Sequence, residues 1–164
     1  MLVNDSLLLD MLIRRMDSNH DIVVDVETSG LDFKANHIVG YVITLGPREG
    51  DTFYVPVRHS GGGNLASIAQ VPTSATNWSG SLHQADIRII NALKGKHIIG
   101  HNISFDLRFL SRVGYVPTGP VTDTMVQAFL LDELQPSLSL DSCCKVRGVQ
   151  AKKGDDLYKA IAAK

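Results

Sequence analysis

No apolar run in this 164-residue sequence approaches the ~20 residues that a membrane-spanning helix requires. The stretch from Met1 to Arg15 carries Asp5 and Asp10 and has no basic region ahead of its apolar residues, which excludes a secretory signal. Only two cysteines occur, Cys143 and Cys144, side by side. Chain neighbours are a poor disulfide pair and offer no metal-binding spacing, so the expected setting is a reducing one, the cytoplasm. A Gly-x-Ser-x-Gly elbow is lacking, and with it that form of nucleophilic serine. No internal repeat is present, and an excess of charge of one sign is missing too, since the formal net charge is −1. What is there is ordinary for a globular chain: 44% hydrophobic and 20% charged residues, which excludes a disordered or collagen-like protein. A chain of this length suits one domain spanning residues 1–164, able to bury roughly 70% of its unfolded surface.

The near-neutral total hides an asymmetry. Residues 145–164 hold six basic and two acidic side chains, a net +4, whereas residues 1–144 hold 10 basic and 15 acidic, a net −5. An acidic body with a basic tail fits a phosphate-bearing partner or, more simply, a solvated C-terminal helix.

Leu7, Leu8, Leu9, Leu12 and Ile13 are spaced for one face of a helix over about residues 5–17. Residues 22–27 (IVVDVE) begin apolar on both sides, as a central strand should. Residues 37–45 and 52–57 read as two further strands, and the short link at residues 46–50 makes them an antiparallel hairpin. Residues 58–81 form an unusually long polar loop, with Gly61-Gly62-Gly63 inside it. Helices are expected over residues 86–93, 104–113, 123–131, 138–146 and 155–163, with a short strand at 97–100. Strands first, then strand–helix alternation, imply an α/β fold with a mixed sheet.

The informative residues are acids placed where the apolar pattern expects something else. Asp25 and Glu27 interrupt a strand end, and residues two apart on a strand share a face. Two such carboxylates repel and are costly to desolvate. A divalent cation resolves both problems, and Mg²⁺ and Mn²⁺ favour oxygen ligands; a strand end that simply reaches solvent is the alternative. The second cluster is His101-Asn102-Ile103-Ser104-Phe105-Asp106, directly after the 97–100 strand. Asn102 suits a helix N-cap, and Asp106 falls about one turn in, near the positive helix end. Ligands of open α/β sheets collect at this edge, where Asp25 and Glu27 also lie if their strands run parallel. A capped helix with a favourable first-turn acid is the simpler reading of this cluster.

Asp25-Val26-Glu27-Thr28 with Gly30-Leu31-Asp32 resembles the first motif of the DEDD superfamily of 3′–5′ exonucleases, and Asn102 with Asp106 resembles the second. Val39-Gly40, Tyr54-Val55-Pro56-Val57 before His59, Gly100-His101-Asn102, Asp123-Thr124-Met125 and Leu138-Ser139-Leu140-Asp141 resemble the proofreading domain of DNA polymerase I, in order, over roughly residues 20–145. The resemblance implies a ribonuclease-H-like three-layer α/β fold, a central mixed β-sheet flanked by helices. It implies hydrolysis of DNA from the 3′ end to nucleoside monophosphates, with two Mg²⁺ or Mn²⁺ ions. Asp25 would bridge the two ions, Glu27 ligate the first and Asp106 the second. Thr28, Leu31, Asn102 and Phe105 would contact or adjoin the terminal nucleotide, Leu31 as an apolar wedge unless it is simply core. The implied partners are single-stranded DNA or a DNA 3′ end, with RNA as the alternative, and a separate polymerase. Asp123 is expected to cap a helix or to support the site without binding metal.

One departure stands out. The family's late motif is Tyr-x-x-x-Asp or His-x-x-x-x-Asp. No His follows His101, and four residues beyond Tyr158, the only late Tyr, stands Ala162. Three expectations follow: a chain ending before the third motif, an impaired exonuclease that keeps a nucleic-acid or protein interaction, or a fourth ligand supplied by Asp155 or Asp156. Besides the proofreading type, two alternatives remain: an inactive nucleic-acid-binding or docking module, and an RNA-processing relative resembling ribonuclease D.

Overall fold

Residues 1–66 and 82–149 are described by the structure, a computed structural model. They fall into two units, Met1–Asp123 and Thr124–Lys164. The first contains α1 (Ser6–Asp17), β1 (Asp21–Thr28), β2 (Ile38–Thr44), β3 (Thr52–Pro56), α2 (Gln84–Leu93), β4 (His97–Gly100), α3 (Ile103–Arg112) and β5 (Val121–Asp123). The second contains α4 (Thr124–Leu131) and α5 (Leu140–Val146). No helix among the described residues is long and apolar enough to cross a membrane. The expected helix at 155–163, with Asp155, Asp156 and Tyr158, lies outside the described residues, as does part of the 58–81 loop.

The five strands form one mixed sheet of order β3-β2-β1-β4-β5. β1 pairs antiparallel with β2, β2 antiparallel with β3, and β4 parallel with both β1 and β5. This is the mixed central sheet expected of a ribonuclease-H-like fold. β5 is a correction, because residues 121–123 read in sequence as the approach to a helix starting at Asp123. Three residues carry no periodicity of their own; pairing with β4, Ile98 against Val121 and Gly100 against Asp123, makes them a strand.

Burial alternates along β1. Ile22, Val24 and Val26 are buried, while Asp21, Val23, Asp25 and Glu27 face the other way and stay exposed or half-buried. The buried face joins Tyr41, Ile43, Phe53, Val55 and Ile98 from the neighbouring strands. Leu9, Leu12 and Met16 of α1, Ile89 and Leu93 of α2, and Phe109 and Leu110 of α3 complete the same core. Leu7, grouped by spacing with the apolar face of α1, is instead 77% exposed. Asp5 caps α1 by accepting from the Leu8 N–H at 2.8 Å, and Asp10 pairs with Arg88 of α2 at 2.6 Å.

A buried polar knot fixes α2 against the sheet. Asp86, fully buried, accepts from the Tyr41 hydroxyl at 2.5 Å and from the His83 N–H at 2.7 Å. The Arg58 guanidinium pairs with the Asp86 carboxylate and donates to the Ile38 carbonyl at 3.1 Å. Burial, with the Asp86 charge beside it, drives the Tyr41 hydroxyl well above its ordinary pKa and keeps it a donor. Removing one partner of a buried ion pair strands the other's charge, whereas losing one hydrogen bond to an otherwise satisfied group costs less. Asp86→Ala is therefore expected to destabilise the chain by about 3–5 kcal/mol and Tyr41→Phe by about 1–3 kcal/mol. Urea unfolding checks both the direction and the order.

Candidate active site

The alternation of β1 sets the first two acids. Asp25 and Glu27 project from the same face, both half-buried, and a register irregularity follows between Glu27 and Thr28. β4 pairs with β1 only as far as Val23 against Ile99 and ends at Gly100. Beyond that point the β1 backbone lacks a strand partner on the β4 side. Asp106, from the first turn of α3, fills the position: its Oδ1 accepts from the Val26 N–H at 2.8 Å. The chain reverses tightly to bring it there. A Cβ on Gly100 would meet the Ile103 side chain at 2.4 Å, so the turn accepts only glycine without rearrangement. Asn102 follows in the left-handed region at φ 58.

Asn102 stands at the N-cap position of α3, but its side chain makes no capping hydrogen bond. Its own N–H donates to Asp123 Oδ1 at 2.9 Å. Asp123, the last residue of β5, thus holds the left-handed turn from outside, one of the two roles expected of it. Thr28 Oγ1 donates to the Gly30 carbonyl at 2.9 Å, closing the end of β1. Leu31 is 86% exposed, so the core reading of this residue fails. Phe105 is half-buried and packs on Phe109, ring centroids 5.0 Å apart.

Asp106 is 97% buried, being 3% exposed. Burial raises its pKa to about 7; the Val26 N–H opposes that shift, and the charges of Asp25 and, less strongly, Asp123 add to it. A carboxyl in this state is either protonated or in need of a cation. The donor set is entirely carboxylate oxygen, which suits hard divalent ions such as Mg²⁺ and Mn²⁺. Asp25, Glu27 and Asp106 do not close into one tight triad: among the described residues, the group of three metal-ligating atoms mutually within 4.8 Å lies elsewhere, at His20, Asp21 and His97.

Tyr54 of β3 also reaches this region, and no role was assigned to it from sequence. A Cβ on Gly40 would sit 2.3 Å from the Tyr54 hydroxyl oxygen, so the glycine lets this ring lie across β2. Gly40 is the β2 partner of Glu27. Burial pushes the Tyr54 hydroxyl up to about 12, and the Glu27 charge adds to the shift. The hydroxyl bonds His59 Nε2, and His59 is itself fixed by Asn64, which accepts from its N–H at 2.6 Å and donates to its carbonyl at 2.8 Å. The Tyr54-x-Pro56 and Gly40 spacing was the available signal, but only the β2–β3 register brings the ring over the glycine.

A family profile described as 3′–5′ exonuclease matches residues 1–160. The chain is 28% identical over 151 residues to DNA polymerase DpoZ of Salmonella phage PMBT28, covering 90% of this chain and 20% of that protein. It is 29% identical over 133 residues to DNA polymerase I of Borreliella burgdorferi, covering 81% of this chain and 13% of that protein. It therefore spans a fifth or less of these relatives. Among solved structures, Brucella melitensis NrnC bound to pGG aligns with a TM-score of 0.62 at 20% identity, over 93% of this chain and 62% of that one. Escherichia coli RNase D, an exoribonuclease involved in structured RNA processing, aligns with a TM-score of 0.60 at 16% identity, over 95% of this chain and 35% of that one. The fold is shared with both.

The raised pKa of Asp106 has a thermodynamic signature. Between its ordinary value of 3.8 and about 7 the folded chain binds a proton that the unfolded chain has released. Stability from this group is thus fully present below about pH 4 and is lost as pH rises through 7. Asp106→Asn keeps an acceptor for the Val26 N–H and cannot ionise. In metal-free buffer it is expected to match the parent near pH 4 and to exceed its stability above pH 7 by about 1–3 kcal/mol. Urea unfolding in EDTA at both pH values measures the difference.

Proposed function

This chain belongs to the 3′–5′ exonuclease family, and we propose from that premise that it hydrolyses DNA from the 3′ end to nucleoside monophosphates, with Asp25, Glu27 and Asp106 holding two Mg²⁺ or Mn²⁺ ions. The observation that carries the reading is Asp106: a carboxyl 97% buried, seated on the central strand and raised to about pKa 7 by burial and by the Asp25 charge. Such a group is stabilised as a carboxylate by a cation. By the family's pattern Asp25 would serve both ions, Glu27 would hold the first and Asp106 the second. When bound, the ion pair supplies an activated water and stabilises the departing 3′ oxygen of an in-line displacement.

The chain's own residues place the strand end. Thr28 and Asn102 flank the carboxylates and present polar groups to the terminal nucleotide. Leu31, 86% exposed, supplies an apolar surface for the terminal base, and Phe105 lies behind the site, braced by Phe109. Tyr54, held by His59 and close enough to feel the Glu27 charge, stands beside the carboxylates. DNA is the favoured substrate because the sequence relatives are DNA polymerases. A polymerase that hands over its 3′ end is the partner this reading implies.

Release of mononucleotides from a 3′-terminal single strand with Mn²⁺ tests the proposal, with DNA and RNA of one sequence side by side. DNA is expected to be degraded faster. Asp25→Ala is expected to lower the rate at least about a hundredfold, equivalent to ~2.7 kcal/mol of transition-state stabilisation. Undiminished activity in that variant overturns the ligand assignment, and preference for RNA transfers the reading to an RNA-processing exonuclease. Strand binding without Mn²⁺-dependent turnover in the parent chain makes it a binding module.

A further inference from the structure

We propose that His20, Asp21 and His97 form a second metal site, for one Zn²⁺ ion, at the start of β1 and β4 and separate from the carboxylate site. One ligand atom from each residue lies within 4.8 Å of the others. His20 Nδ1 is 2.7 Å and His97 Nδ1 3.0 Å from the same oxygen, Asp21 Oδ1. Two imidazole nitrogens therefore converge on one carboxylate oxygen. Without a cation each Nδ1 must carry a proton to make that contact favourable; one divalent ion replaces both contacts and leaves each ring its neutral form.

The backbone presets this geometry. Asp21 and His97 are direct partners in the parallel β1–β4 ladder, and the His97 N–H donates to the His20 carbonyl at 3.0 Å. Ligands held by a sheet register need little ordering on binding. His97 also has the outer support typical of a metal-binding histidine: its Nε2 lies 2.8 Å from Thr122 Oγ1, on the side away from Asp21. With Nε2–H donating to that hydroxyl, the tautomer is fixed and the Nδ1 lone pair faces the carboxylate. Lys96, the nearest cation in sequence, is engaged by the carbonyls of Asp17 and Asn19, each at 2.7 Å.

The donor chemistry selects the metal. Two imidazole nitrogens and one carboxylate oxygen suit Zn²⁺, whereas Mg²⁺ and Ca²⁺ favour all-oxygen sets. Three protein ligands would leave a fourth position for water, and an open depression lined by Asn19, Val23, Thr44, Leu45 and Gly46 adjoins His20 and Asp21. Asp21 and Asp25 share a face of β1 four residues apart, ~13 Å along a strand, so the two sites have no ligand in common. An ion here clips the first residues of β1 to β4 and stabilises the folded chain.

The test is calorimetric titration of the full metal-free chain with Zn²⁺, with Co²⁺ as a spectroscopic probe. The variant Asp25→Asn, Glu27→Gln, Asp106→Asn removes the carboxylate site. In it, one equivalent of Zn²⁺ is expected to bind, Co²⁺ to give the visible absorption of a four-coordinate N/O site, and excess Mg²⁺ to displace neither. His20→Gln and His97→Gln are each expected to abolish that equivalent, and Thr122→Val to weaken it by roughly 10–100-fold. Because the His20 side chain is 74% exposed, His20→Gln leaves folding intact, and its loss of the Zn²⁺-induced rise in Tm reads binding alone. No bound Zn²⁺ in the carboxylate variant, or binding unchanged by His20→Gln and His97→Gln, overturns the proposal. Neither result bears on the exonuclease reading, which the Asp25→Ala assay tests separately.

Discussion

The hydrogen bond from the Val26 N–H to Asp106 is the contact on which the site is built. It joins the central strand to the first turn of α3, eighty residues later in sequence. It occurs where β4 has ended and the β1 backbone would otherwise leave a buried N–H without a partner, a deficit that costs about as much as a lost hydrogen bond. The carboxylate that meets this need is thereby buried beside Asp25. One interaction thus fixes helix placement, closes the strand edge and concentrates negative charge. The glycine turn at Gly100 and the left-handed Asn102, held by Asp123, are the local geometry that this contact demands.

The second organising feature is the division of the sheet into two faces. One is filled by Ile22, Val24, Val26 and their neighbours from β2, β3 and β4. Period-two geometry puts every charged residue of β1 on the other. The apolar face can then be stabilised independently, by α1, α2, α3 and the knot of Asp86, Arg58 and Tyr41. That independence lets the polar face carry charges that would be costly in a core. A functional face of this kind reduces stability locally, and the buried face offsets it.

Much of this was legible in the sequence. Asp25 and Glu27 broke an apolar strand at even spacing, and Asp106 fell one turn past a strand–helix junction; both signals are local and survive without tertiary knowledge. The four longer strands and the helices through α5 followed from hydrophobic periodicity for the same reason. What was hidden depends on register. β5 is a strand only because β4 lies beside it. Asp86 marks only the start of a helix in the sequence, and its burial appears once Tyr41 and Arg58, 45 and 28 residues away, converge on it. Leu31 follows a glycine, as core residues often do, and only the path of the chain after β1 leaves it exposed. Tyr54 gained a place near Glu27 solely through the missing side chain at Gly40.

The same strand also explains why two proposed cation sites do not compete. Asp25 and Glu27 stand at the carboxyl end of β1 among oxygen donors; Asp21 stands at its beginning among imidazoles. Ligand chemistry separates the ions, since hard cations favour the first set and Zn²⁺ the second. Distance separates the charges. Four residues of strand span ~13 Å, longer than the ~8 Å over which physiological salt screens exposed charges. A cation at the beginning of β1 therefore shares no ligand with the ions at its end and stands more than a screening length from Asp25. Its effect on the far site passes through the strand itself, by holding the β1–β4 ladder that ends where Asp106 takes over.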